Sequence, residues 1–183
     1  MPEQSGQIDK EDVLLLLLFS MSGEEAKESV ASITRVEKMM YLLQEETEFS
    51  SKLQDRFEYK PWKFGPFSKG IYESLDLLFS LDLLDIEVRE LNYIEYTERD
   101  VLTGMEEEEP VVEKIFSLTD RGRRVAEKLK SLILEKDWEE FINLRRRFEE
   151  VPLTALIQYV YRKYPETTSE SVLEHLKPGK HAP

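Results

Sequence analysis

The sequence predicts a mainly α fold of the α+β class, because residues 64–127 read as a helix, two strands and a second helix. Ser68 can cap the first helix, whose apolar residues recur at three- and four-residue spacing. β-branched and aromatic residues then concentrate in residues 86–96 and 111–118, on either side of a charged loop. Thr119 provides a capping hydroxyl for the helix that follows. This order is the second half of a winged helix-turn-helix with a two-stranded β-wing.

Two further helices are predicted upstream. The first covers residues 9–20 and contains the apolar run 14–19, which is far shorter than the roughly 20 residues of a membrane span. We therefore expect a buried helix there and no membrane association. In the second helix, Thr34 and Glu37 have the spacing of a capping box, and an apolar stripe continues to about Glu46.

The remaining segments extend this unit. Residues 47–63 are predicted to form a loop and a short extended segment, and additional helices follow over 138–148 and between Pro152 and Pro165. A winged-helix unit does not need these C-terminal helices, so their aromatic residues either pack back on the first helix or form a homodimer seam. These aromatic residues are Trp138, Phe141, Phe148, Tyr159, Tyr161 and Tyr164.

The chain of 183 residues is long enough to bury a substantial core. We divide it into a winged-helix domain over residues 1–135 and a C-terminal helical extension over 136–176. A flexible tail over 177–183 completes the division.

The composition argues against an enzyme and against a metal or cofactor site. The chain has no cysteine, which fits a cytoplasmic protein, and its two histidines, His175 and His181, both lie near the C-terminus. A histidine base or metal cluster in the core therefore cannot be built. No glycine-rich phosphate loop or nucleophile elbow is present, and no pair of carboxylates is singled out.

The charge balance opposes general affinity for polyanions. The chain has 25 Lys and Arg against 38 Asp and Glu, a formal net charge of −13. Because sequence-independent binding of nucleic acid depends on cations that displace counterions, an acidic domain needs a local basic patch.

Four segments together resemble a known group of proteins: ITRVEKMMYLL (33–43), WKFGPFSKGIYESLDLL (62–78), FSLTDRGRRVAE (116–127) and VYRKYPETTSES (160–171). Over residues 33–171 the chain resembles the YwgA-like uncharacterised proteins and the related Panacea antitoxin domain. The resemblance implies a helix-turn-helix architecture with an antitoxin or regulatory role for some members. It implies no cofactor and no catalytic residue.

The first functional hypothesis is a dimeric DNA-binding regulator. In a winged helix, the helix after Ser68 would approach the major groove of double-stranded DNA. The alternative, purely structural interpretation is that the lysines and arginines near this helix are solvated and that Tyr72 packs against the core. The candidate DNA-binding residues are Lys60, Lys63, Ser68, Lys69, Tyr72, Arg123, Arg124 and Lys130.

The alternative hypothesis is an acidic, antitoxin-like module that binds a basic protein and no nucleic acid. The outer face of the helix after Ser68 has one base, Lys69, and two acids. The predicted ribbon tip is acidic too, so both would repel phosphate. The candidate partner-binding residues are Glu73, Asp76, Glu106, Glu107, Glu108 and Glu109. The first hypothesis requires the cations to converge on one surface, and the second requires a continuous negative field.

Overall fold

The computed structural model describes residues 8–22, 31–90 and 112–177. This part of the chain is mostly helical with small antiparallel sheets, which confirms the predicted mainly α, α+β class. The helices are α1 (Lys10–Met21), α2 (Ile33–Glu46), α3 (Lys69–Ser80), α4 (Asp120–Lys130), α5 (Glu135–Phe148) and α6 (Leu153–Lys163). The strands are β1 (Ala31–Ser32), β2 (Lys60–Trp62), β3 (Gly65–Phe67), β4 (Leu84–Glu90) and β5 (Val112–Leu118). Short 3₁₀ turns cover Glu48–Lys52, Pro165–Thr168 and Glu174–Leu176.

The predicted ribbon is present. Strands β4 and β5 pair antiparallel, with Leu84 opposite Leu118 and Glu90 opposite Val112. β1 joins the other edge of β5, which gives the sheet order β1-β5-β4. The short β1 was not predicted, because two residues carry no periodic signal. The distal part of the predicted arm, with the acidic tip at 106–109, lies outside the described residues.

The segment before α3 is a hairpin, where a single extended segment was predicted. Lys60 pairs with Phe67, and Trp62 pairs with Gly65. Gly65 has a φ of 90°, and a Cβ atom there would lie 2.7 Å from Cε1 of Tyr161. A glycine is therefore needed both for the left-handed backbone and for the close approach of α6.

Helix α1 lies at the centre of the molecule. Residues 13–18 are all buried, on every side of the helix, and α1 contacts α2, α3, α4, α5 and β5. This confirms the predicted buried helix, and no helix in the described ranges is long and apolar enough to cross a membrane. An all-round apolar helix requires cover from several elements.

The C-terminal helices pack back on this core. Trp138, Phe141 and Phe148 of α5 belong to the same buried cluster as α1, together with residues of α6. Tyr161 is also buried, and its hydroxyl forms a 2.6 Å hydrogen bond with Ser171. Of the two predicted roles, the aromatic residues therefore take the packing role, and residues on both sides of the predicted boundary at 135 share one core.

Glu46 ties the ends of three helices together. Its carboxylate, at the end of α2, accepts from Arg147 of α5 at 2.7 Å and from Lys163 of α6 at 3.1 Å. The hydroxyls of Tyr159 and Tyr164 donate to it at 2.9 and 3.2 Å. Burial alone would raise the pKa of Glu46, but these hydrogen bonds and cations lower it below its ordinary value.

The predicted helix caps have different outcomes. Thr119 accepts a hydrogen bond from the Gly122 backbone N–H at 2.9 Å, as expected of an N-cap. Ser68 occupies the N-cap position of α3, but its side chain makes no capping hydrogen bond. The capping box of Thr34 and Glu37 is wrong, because the N-cap of α2 is Ser32, two residues before Thr34, and Glu37 is buried.

Candidate interaction surface

The outward face of α3 has the composition expected from the helical spacing. Lys69, Glu73, Asp76 and Ser80 are exposed, while the opposite side of the helix is buried. Lys69 and Glu73 form an ion pair at 2.7 Å, one helical turn apart. The hydrogen bond with Glu73 raises the pKa of Lys69, and the same bond lowers the pKa of Glu73. The lysine is therefore matched by its neighbour, and Asp76 leaves this face with excess negative charge.

Exposed aromatic side chains continue from the β2–β3 hairpin onto α3. The ring centroids of Trp62 and Phe67 are 6.0 Å apart, and those of Phe67 and Tyr72 are 5.4 Å apart. Phe79 lies two turns beyond Tyr72 on the same side of α3. Trp62, Tyr72 and Phe79 are 44%, 39% and 50% exposed. We call Trp62, Phe67, Tyr72 and Phe79 the aromatic strip.

The aromatic strip has opposite charges at its two ends. The Lys60 ammonium lies 5.1 Å from the centroid of the Trp62 ring, and Lys63 is exposed in the hairpin turn. Neither lysine forms an ion pair with a residue in the described ranges. Asp76 lies on α3 between Tyr72 and Phe79 and is likewise without an ion pair among those residues. Glu58 and Glu166 lie in the clefts that Lys60 lines, so Lys63 is the cation that the hairpin end offers, and Asp76 is the acid toward the α3 end.

A cleft of 560 Å³ lies beside the strip at the start of α3. Its cations are largely matched by acids: Lys10 pairs with Asp55 at 2.9 Å, and Lys69 pairs with Glu73. Such a mixed lining offers no cluster of free cations for a phosphate. Lys60 and Lys69, two of the predicted DNA-binding residues, do line this cleft together.

The other predicted cations lie elsewhere. Arg123 is over the ring of Phe19, and Lys130 is over Trp138, whose ring is 5.8 Å from that of Phe19. Phe19 belongs to the last part of α1, whereas Lys10, which lines the cleft, begins that helix. The two positions are about 13 Å apart along the axis at 1.5 Å per residue.

The structure thus places the eight predicted DNA-binding residues in at least two groups, Lys60 and Lys69 at the cleft and Arg123 and Lys130 beside the Phe19–Trp138 ring pair. Arg124 is exposed on α4, the helix of Arg123 and Lys130. Ser68 is buried, so its side chain is not offered to a partner. Tyr72 contacts Phe67 and stays partly exposed, which combines the packing and the surface interpretations.

A buried ion pair between Glu37 and Lys38 holds the backbone segment that joins the hairpin to α3. Lys38 of α2 is fully buried, and its ammonium donates to Glu37 at 3.2 Å and to the Pro66 carbonyl at 2.8 Å. The other oxygen of Glu37 accepts from the Ser68 backbone N–H at 3.2 Å. Burial raises the pKa of Glu37 and lowers that of Lys38, although the charge of each residue favours the ionised form of the other. These bonds fix the segment that joins the hairpin to α3.

The sequence contained a signal for two features of the site that the predictions missed, the aromatic strip and the buried ion pair. Residues 59–72 contain three lysines and five aromatic residues but no acid, within a strongly acidic chain. Glu37 and Lys38 lie on the same side of the helix as Tyr41 and Leu42, each four residues further on, so turning both charges toward solvent would expose these two apolar side chains.

The described residues offer no metal-binding group. No cluster of three or more His, Cys, Asp or Glu that could hold a metal ion occurs within residues 8–22, 31–90 and 112–177. No protein-family model, curated protein or solved structure matches the chain.

Proposed function

We propose that the chain is a winged-helix protein that uses α3 and the β2–β3 hairpin to bind protein rather than duplex DNA. The order α1, β1, α2, α3, β4, β5 with sheet order β1-β5-β4 supports a winged helix. Residues 47–68 separate α2 from α3, far more than the short turn of a helix-turn-helix. The scaffold thus departs from DNA-binding versions at the element that sets the position of α3.

The outward face of α3 is the observation that carries this proposal. A recognition helix presents cations and amides to phosphates and base edges. Here Lys69 is engaged by Glu73 and Asp76 adds a negative charge. Contact with a phosphate backbone would bring like charges together, so the face disfavours a DNA groove.

The same region has the composition of a protein interface. Aromatic residues are enriched at the centres of such interfaces, where tryptophan and tyrosine are frequent hot spots. Trp62, Tyr72 and Phe79 remain exposed here, and Leu77 is 46% exposed on the other flank of α3. This supports the antitoxin-like alternative, in which Glu73, one turn before Leu77 on that flank, contacts a basic protein. The acidic tip at 106–109 lies outside the described residues.

A DNA titration tests the negative part of the proposal. Fluorescence anisotropy of the full chain with labelled duplex DNA near 50 mM salt should show no saturable binding at micromolar protein. Saturable binding whose logarithmic affinity falls with the logarithm of salt concentration, with a slope of several units, would overturn the proposal. Binding that Lys69→Ala weakens and Leu132→Ala leaves unchanged would also restore α3 as a DNA-contacting helix.

Partner capture tests the positive part. Tagged full chain recovered from its native host should retain a basic protein partner that Leu77→Ala and Glu73→Lys each reduce. Leu132→Ala is the matched control, since Leu132 is 70% exposed and lies beyond α4, away from α3. A partner recovered equally with all variants would contradict the assignment to α3.

A further inference from the structure

We infer that the aromatic strip is a self-association surface, covered by a second copy of this chain in an antiparallel, two-fold arrangement. This inference rests on the proposed function, because it needs α3 and the hairpin to be a protein-binding region. It assigns the strip and Asp76 to a second copy, and it leaves Glu73 and Leu77, on the other flank of α3, to the basic partner. Nucleic acid and foreign peptides are the competing occupants.

The location of exposed aromatic side chains supports this position for a dimer contact. The C-terminal aromatic residues for which a seam was one of two predicted roles, such as Phe141 and Tyr161, are buried within their own subunit. Trp62 and Tyr72 instead flank Phe67 in an unbroken run of ring contacts across two elements. Single exposed apolar residues are ordinary, but a contiguous group indicates a contact site.

The distribution of charge selects the occupant. Lys60 and Lys63 lie at the Trp62 end, and Asp76 lies toward the Phe79 end. A basic peptide lying along the strip would meet the lysines, and an acidic ligand or nucleic acid would meet Asp76. A second copy turned by 180° satisfies both ends, since its Asp76 faces the lysines and its lysines face Asp76.

Two-fold symmetry also limits the assembly. In an isologous contact, each subunit uses the same patch, so one pairing covers both strips completely. Each contact between Lys63 and Asp76 then occurs twice per dimer. The assembly is closed and does not extend into a filament. Dimerisation places the two α3 helices side by side, and Leu77, on the opposite flank of α3 from Phe79, stays open to a further partner.

Charge reversal provides the decisive test. Sedimentation velocity of the full chain, from about 1 to about 100 μM, should show a concentration-dependent monomer–dimer equilibrium. Asp76→Lys and Lys63→Glu should each weaken the dimer by at least about tenfold, because each places like charges opposite one another twice. The double variant should return to within about threefold of the wild type, since the pairing is restored with reversed sign.

Two controls separate surface effects from folding. Arg146→Glu reverses a charge on an exposed residue of α5 and should leave the dimer unchanged. Circular dichroism should show unchanged helix content in all variants.

Tryptophan emission gives a second readout, because Trp62 is exposed and Trp138, the other tryptophan, is buried. Dilution should shift the tryptophan emission maximum of the wild type to longer wavelength and leave the emission maximum of Trp62→Phe unchanged.

The outcomes distinguish this inference from the proposed function. A wild-type monomer throughout the concentration range would overturn self-association, as would a double variant that is as weak as the single variants. Neither result would affect DNA exclusion or partner capture by α3. Salt-dependent duplex binding with an intact dimer would instead overturn the proposed function and leave the dimer contact standing.

Discussion

Replacing Lys38 by methionine should destabilise the protein strongly, although the side-chain volume is nearly conserved. Lys38 is fully buried and donates to Glu37 and to the Pro66 carbonyl. Lys38→Met removes both donors at once. The carboxylate of Glu37 then stays buried without its countercharge and keeps only the N–H of Ser68.

The expected cost follows from the state of the remaining carboxylate. Removing one partner of a buried ion pair typically costs about 3–5 kcal/mol, mostly because the other charge is left uncompensated. The double variant Glu37→Gln, Lys38→Met removes that charge and keeps an oxygen for the Ser68 N–H. It should recover most of the loss and retain about 1–3 kcal/mol for the unpaired Pro66 carbonyl.

Urea unfolding at pH 7 measures both values. Lys136→Met, on the exposed side of α5, is the matched control and should change stability by less than about 0.5 kcal/mol. In Lys38→Met the folded-state pKa of Glu37 rises further above its ordinary 4.5, so protonation relieves the cost. The loss of stability should be smallest below pH 4.5, where Glu37 is protonated in both the folded and the unfolded state, and it should grow as pH rises toward the folded-state pKa. A loss under about 1 kcal/mol at pH 7, or a double variant no more stable than the single one, would refute the reasoning.

Three further predictions concern single contacts. Glu46→Gln should cost about 1–3 kcal/mol at pH 7, and the deficit should vanish as pH falls through the lowered folded-state pKa of Glu46, because wild-type stability is lost there. Gly122→Ala should cost about 1–3 kcal/mol or more in urea unfolding, since a Cβ atom would lie 1.9 Å from the carbonyl oxygen of Leu83. Thr119→Ala should cost about 1 kcal/mol in thermal unfolding, while Thr34→Ala, which lacks a capping contact, should cost under about 0.5 kcal/mol.

Matched neighbours make these predictions specific. Glu45 precedes Glu46 but pairs with Arg56 at the surface, so Glu45→Gln should cost under about 1 kcal/mol. Gly70→Ala should be tolerated better than Gly122→Ala, because its Cβ would meet only the edge of the Phe57 ring, at 3.2 Å. Equal losses for the members of either pair would show that the named contacts do not decide stability.

The fold was predictable wherever periodicity extended over several turns. The helices over residues 69–80 and 153–163 followed from apolar spacing and from the capping and proline residues at their ends. The paired strands around Ile86 and Phe116 followed from the concentration of β-branched and aromatic residues. β1 and the β2–β3 hairpin were not predictable in this way, because each strand has only two or three residues and its pairing depends on distant elements. Tertiary contacts therefore decided the shortest elements.

The candidate site was predictable only in part. The charges on α3 followed from helical spacing, and Lys60 and Lys69 do line one cleft. The separation of Arg123 from Lys69 depends on how α3 and α4 are placed along α1, which spacing within one helix cannot reveal. The burial of Lys38 likewise depends on an acceptor from Pro66, which is distant in sequence.

The all-round burial of α1 has a consequence for synthesis on the ribosome. The helix emerges before α5, which is one of the elements that cover it, so its leucines are not fully covered until residue 148 has left the exit tunnel. Nascent chains of intermediate length thus expose an aggregation-prone hydrophobic segment, to which chaperones that bind unfolded chains can attach. A stop codon or protease cut ahead of α5 should yield aggregates in place of a smaller folded product.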